Sequence, residues 1–142
     1  MIPVEFTQIL IALGLGLAIG LERTFAHKTA GMRTYGLVAM GSAIFIILAQ
    51  FVAPEASLNS PGIMYVMQGL IIGIGFIGGG AILHNHEHTS GLTTAAGLWI
   101  TAGIGAAVGF GYTPLAIFIT LLTLFTFTVL WFVEHLITKA GK

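Results

Sequence analysis

The sequence has 142 residues, of which 56% are hydrophobic, 7% are charged and none is cysteine. A soluble domain carries about 25% charged residues, so a chain this poor in charge is excluded as a water-soluble globule. The formal net charge of zero gives no electrostatic footprint for nucleic acid, and without cysteine there are no disulfides or thiolate metal sites.

In chain order, five apolar spans are predicted, at residues 4–21, 35–52, 62–83, 92–111 and 114–137. Each is near the roughly 20 residues that a helix needs to cross a hydrocarbon core. The predicted fold class is therefore all-α: a polytopic integral membrane protein of five transmembrane helices, with residues 1–142 as one transmembrane domain. The first span is followed, not preceded, by basic residues and shows no small-x-small cleavage site, so it reads as a retained helix and not a signal peptide. A polar segment at 22–34, a turn-rich loop at 53–61, a histidine-rich stretch at 84–91 and a short corner at 111–114 join the spans.

Arg23, Lys28 and Arg33 lie in the first loop, and Lys139 and Lys142 follow the fifth span. Short loops rich in Lys and Arg stay on the cytosolic side. Five spans put both groups on that side, with the N-terminus outside and the C-terminus cytosolic.

Glycines four residues apart mark close-packing helix faces: Gly16 and Gly20 in the first span, Gly69 and Gly73, then Gly75 and Gly79, in the third, and Gly105 and Gly109 in the fourth. These pairs predict that spans one, three and four form the packed centre. The fifth carries Phe118, Phe125, Phe127, Trp131 and Phe132 and no glycine, which predicts a face toward lipid or a neighbouring subunit. Its threonines Thr120, Thr123, Thr126 and Thr128 can bond their own helix carbonyls.

Glu22, Arg23, Arg33 and Thr34 fall together at the predicted cytosolic boundary, bordered by Thr93 and Thr94 at the start of the fourth span. A charge buried near the hydrocarbon costs on the order of 3 kcal/mol, which favours pairing inside a polar pocket. The plainer alternative is that these charges snorkel to headgroups and fix orientation, and both readings stand. His84, His86 and His88 are candidate metal ligands, but a polar loop at a membrane surface needs no metal, and no metal or cofactor is predicted. The run Gly78-Gly79-Gly80 either packs or loosens the helix for an ion; packing is preferred, because no acidic residue lies mid-span to neutralise a cation. With no positioned base beside a nucleophile or metal, an enzyme is not expected.

Four motifs now stand in order: Gly16-Leu17-Ala18-Ile19-Gly20-Leu21-Glu22-Arg23, Gly31-Met32-Arg33-Thr34, Gly73-Ile74-Gly75-Phe76-Ile77-Gly78-Gly79-Gly80, and Gly91-Leu92-Thr93-Thr94-Ala95-Ala96-Gly97-Leu98-Trp99. Together, over roughly residues 8–110, they resemble the transmembrane domain of the MgtC/SapB family of bacterial membrane proteins. The resemblance implies a multi-pass protein of the bacterial inner membrane, linked to growth at low magnesium, to survival of pathogens in macrophages and to restraint of the ATP synthase membrane sector. Three features depart from it. Many relatives continue into a soluble C-terminal domain, many carry charges where Asn59-Ser60-Pro61-Gly62-Ile63-Met64 stand, and a basic residue often occupies the place of Ser90.

The leading expectation is a non-enzymatic regulator or adaptor that acts through helix–helix contacts, in lipid, as a homo-oligomer or on another inner-membrane complex such as ATP synthase. The alternative is a small transporter of an ion, magnesium included, or of a solute.

Overall fold

The computed structural model describes residues 3–52, 61–84 and 89–140. Helix α1 covers Val4–Phe25, α2 Met32–Val52, α3 Pro61–Gly80, α4 Leu92–Gly109 and α5 Thr113–Phe125. The last runs through one π turn, Thr126–Leu130, into α6, Trp131–Ala140. Between α3 and α4, β1 (Leu83–His84) and β2 (Thr89–Ser90) pair antiparallel, with Leu83 opposite Ser90. Among the described residues five helical stretches are long and apolar enough to cross a membrane, the fifth being Thr113–Glu134, so the chain is a multi-pass membrane protein.

The helix limits move from those predicted where polar residues extend a helix or glycines stop one. Helix α1 runs on through Glu22 and Arg23 to Phe25, since a charged residue continues a helix as well as an apolar one does. Helix α3 ends at Gly80, where Ala81 and Ile82 turn back to bond the carbonyls of Gly78 and Gly79. Gly111, at φ +84°, supplies the left-handed corner that sends the chain from α4 into α5.

The centre of the bundle is α1, α2 and α4, and not the first, third and fourth spans. A Cβ built on Gly16 would stand 2.5 Å from the Tyr35 carbonyl oxygen and 2.8 Å from the Ala39 Cβ. From α4, a Cβ on Gly105 would collide with the Ala39 carbonyl, and one on Gly109 would stand 2.8 Å from that of Ala43. Helix α2 offers a matching small face: Tyr35, Gly36, Ala39, Ser42, Ala43 and Ile46 are all buried. Alanine and serine admit close backbone approach as glycine does, and a pattern built on glycine pairs passes over them. Helix α3 is at the edge instead, and a Cβ on Gly69, Gly73, Gly75 or Gly79 would meet nothing within 4 Å.

Specific contacts fix which helix ends meet. At one end the Tyr35 hydroxyl donates to the Thr94 carbonyl (3.2 Å), and Arg23 lies against Phe127. At the other end the Gln50 side-chain amide donates to the Gly109 carbonyl (3.1 Å).

Gly105→Ala must push α4 off α2, and overpacking of this kind costs about 1–3 kcal/mol. Gly103, two residues away, meets nothing within 4 Å, so Gly103→Ala is expected to be neutral or to gain up to about 1 kcal/mol of helix propensity. Chemical unfolding of the two variants in detergent micelles measures the difference.

Candidate functional site

The last turn of α1 is folded under by the connection to α2. The Thr24 hydroxyl donates to the Gly20 carbonyl (2.9 Å) and accepts from the Met32 amide (3.1 Å), which pins the start of α2 beside the end of α1. His27 takes φ +54° to reverse the chain, and the Lys28 amide bonds back to the Arg23 carbonyl (3.0 Å). Gly20 makes this corner possible, because a Cβ there would stand 2.6 Å from the Met32 Cα.

This geometry buries Arg23, which is 3% exposed. Its Nε donates to the Glu22 carboxylate, and its guanidinium carbon lies 3.7 Å from the centroid of the Phe127 ring. The ion pair supplies a charge-assisted hydrogen bond. The ring face adds a cation–π contact that reaches about 2 kcal/mol where water is excluded. Together they offset the cost of holding a cation at this depth.

Phe127 reaches inward because of the π turn. It is the one buried residue of Thr126–Leu130, while its neighbours Thr126 and Thr128 return their hydroxyls to the carbonyls of Leu122 and Leu124. Such back-bonding and the wider π turn shift the helix register locally. Gly97 of α4 receives the result: a Cβ there would stand 2.5 Å from the Tyr35 hydroxyl and 2.6 Å from Phe127 Cζ.

Two crevices flank Arg23. One, of about 450 Å³, is lined by Arg23, Lys28, Thr93, Thr94, Trp131 and Glu134 among others. The other, of about 780 Å³, is lined by Glu22, Arg23, His27 and Lys28 together with apolar side chains.

Of the residues proposed from sequence, Glu22, Arg23, Thr93 and Thr94 line these crevices. Arg33 is exposed and Thr34 half-buried, and neither lines them. His84 falls in β1, whereas His86 and His88 lie outside the described residues. No group of three metal-ligating side chains occurs among the described residues. Sequence reasoning missed Tyr35, Gly97 and Phe127. Gly97 lies inside the Gly91–Trp99 motif and Tyr35 directly follows Arg33-Thr34, so both were within reach. Phe127 was not, because an aromatic residue among aromatics carries no mark of the turn that redirects it.

Comparison with known proteins adds a consistent set of likenesses. The family model described as "MgtC family" matches residues 9–136. Protein SrpB of Synechococcus elongatus is 41% identical over 130 residues, covering 84% of this chain and 70% of its own length. A protein named putative magnesium transporter YhiD, from Escherichia coli K12, is 41% identical over 124 residues, covering 85% of this chain and 57% of its own. Protein MgtC of Salmonella typhimurium LT2 is 40% identical over 117 residues, covering 82% of this chain and 48% of its own. The chain thus spans about half the length of the latter two. No solved structure matches.

Glu22→Gln leaves Arg23 buried without its carboxylate. With the pair only partly shielded, the expected destabilisation is on the order of 1–3 kcal/mol. Glu5→Gln, in the first turn of α1 at the far end, is expected to stay within about 0.5 kcal/mol. Unfolding midpoints of the two variants in one detergent make the comparison.

Proposed function

The chain belongs to the MgtC family, and from that we propose that it works as a non-enzymatic regulator or adaptor of the bacterial inner membrane, acting through the uncovered face of α3. One observation carries this reading: Gly78 of α3 packs against Ala95, but Gly69, Gly73, Gly75 and Gly79 are not consumed within the subunit. Tyr65, Gln68, Ile72, Gly75, Phe76 and Gly79 are exposed along one side of the helix. An apolar cleft of about 580 Å³ separates α3 from α2, with Gly69 and Gly73 on its wall.

A helix that meets only lipid gains nothing from glycine, since lipid tails conform to any surface. A helix that meets another helix gains close backbone approach. Gln68 supports the same reading, because an amide left in hydrocarbon is costly and a facing helix can take its hydrogen bonds. The occupant is a second copy of the chain or a helix of another membrane complex. The family resemblance points to the ATP synthase membrane sector under low magnesium.

A transport reading draws on the relative named putative magnesium transporter. It is less well supported, because a cation entering the crevices meets the buried guanidinium of Arg23, and Glu22 is already engaged with it.

The end carrying Arg23, Lys28, Arg33 and Lys139 is assigned to the cytosol by its basic residues. A reporter fused after Lys142 is then expected to be active in the cytosol, and periplasmic activity overturns the assignment.

Gly75→Leu with Gly79→Leu tests the α3 face. Neither glycine has a neighbour within 4 Å, so the fold is expected to keep its unfolding midpoint while crosslinking to itself or to the partner complex is lost. Retained crosslinking with an unchanged cellular response to magnesium limitation overturns the proposal.

A further inference from the structure

Helix α3 carries two seams on different sides. The inner one is formed by its buried residues, Ile63, Ile74 and Gly78, with Met67 and Leu70 half-buried between them. The outer one is Tyr65, Gln68, Ile72, Gly75 and Gly79, all exposed in the single chain. At about 100° per residue these five fall within an arc of roughly 80°, on the side of the helix turned away from the inner seam. Their spacing alternates three and four residues, the repeat by which two helices interlock side by side with a left-handed twist. A surface that meets only lipid has no reason to keep that repeat.

Gln68 says what lies opposite. It stands about 10 Å from one end of α3 and about 18 Å from the other, at about 1.5 Å of rise per residue, which is inside the hydrocarbon. Gln50, in α2, gives its amide to the Gly109 carbonyl (3.1 Å), whereas the Gln68 side chain has no hydrogen-bond partner among the described residues. Lipid tails offer it nothing to bond.

A primary amide both donates and accepts, so it is its own complement. Copies of one chain insert with one orientation, since the same basic residues direct each of them. Two α3 helices brought together about an axis normal to the membrane therefore run parallel, with Gln68 facing Gln68 at one depth. A helix of a different protein meets this requirement only if it carries a polar group at that level. A second copy carries it by identity.

Taking the α3 face as an interface, we propose that it closes on the same face of a second copy in a parallel two-fold dimer, with the two Gln68 amides hydrogen-bonded across the axis. A two-fold contact is self-complementary, each residue of the seam meeting its own counterpart. Gly75 and Gly79 set the closest approach of the two backbones, and Tyr65 fills the wider end near the membrane surface, where tyrosines are favoured.

The chain has no cysteine, so single cysteines placed along α3 report the contact directly. Ile72→Cys, Gly75→Cys and Gly79→Cys lie on the seam, and Gly73→Cys and Ile71→Cys lie off it on its two sides. Each is made in the full chain, reconstituted in liposomes at low protein density and briefly oxidised. A disulfide between identical positions needs Cα atoms about 4.4–6.8 Å apart, so only the three seam variants are expected to run as covalent dimers. Energy transfer between differently labelled copies, diluted with lipid, then reads the dissociation constant. Gln68→Leu is expected to raise it roughly threefold to tenfold, although leucine is the more apolar residue, and Gln68→Asn to hold it within about twofold.

Crosslinking equal at all five positions, or at 71 and 73 in place of the seam, overturns the dimer, as does a dissociation constant indifferent to Gln68→Leu. Absence of crosslinks at every position, with the cellular response to magnesium limitation still lost on Gly75→Leu with Gly79→Leu, overturns the second copy as occupant and leaves the α3 face to another protein. If that response is kept as well, both the dimer and the reading of α3 as an interface fall.

Discussion

Backbone-to-backbone contact of α2 with both α1 and α4 is the constraint from which the rest of the molecule follows. Inside a bilayer there is no hydrophobic drive between apolar helices, and association rests on van der Waals packing and a few hydrogen bonds. Gly16 and Gly105 bring α1 and α4 against the carbonyls of Tyr35 and Ala39. That separation sets what the side chains at the basic end can reach. Tyr35 bonds the Thr94 carbonyl only because α2 and α4 lie this close, and Gly97 leaves the space in which its hydroxyl sits.

The buried cation is a consequence of the same packing. Arg23 could have extended toward the surface, as arginines near helix ends commonly do. It is instead closed over by the α1–α2 corner, paired by Glu22 and covered by the ring of Phe127. Three separate devices converge on that ring: the π turn that aims it, the threonine back-bonds that accompany the turn, and the notch at Gly97 that admits it. A cation held this way stiffens one end of the bundle and electrostatically marks the cavity beside it.

Much of this was legible in the sequence, for a physical reason. The hydrocarbon thickness imposes a length on apolar runs, so the five spans could be read from hydropathy alone, and among the described residues there are five helical stretches of that kind. Gly16, Gly20, Gly105 and Gly109 were read as packing residues and do lie against neighbouring backbones. The arrangement of the helices was not legible, because a Gly-x-x-x-Gly pair says that a face is flat without saying what covers it. Gly75 and Gly79 share the spacing of Gly16 and Gly20 and are uncovered. The pairing of Tyr35 with Thr94, 59 residues apart, and of Arg23 with Phe127 depends on that arrangement and was hidden with it.

The uneven burial of the helices has a mechanical meaning. Over half of α4 is buried, 56% of its residues, against 17% of an 18-residue stretch of α3. Helix α4 therefore cannot shift without breaking its contacts with α1 and α2, whereas α3 meets α4 at Gly78 and Ala95 at ordinary van der Waals distance, buries Ile63 and Ile74, and has a cleft on each side. Few buried contacts mean that little free energy opposes a local displacement. A rigid three-helix centre with one loosely held helix gives a surface that can adapt to a partner while the charged end keeps its shape. Adaptation at α3 and rigidity at Arg23 then fall on different elements, joined by α4, which lines the charged crevice and packs against α3, and by α2, which packs against both α1 and α3.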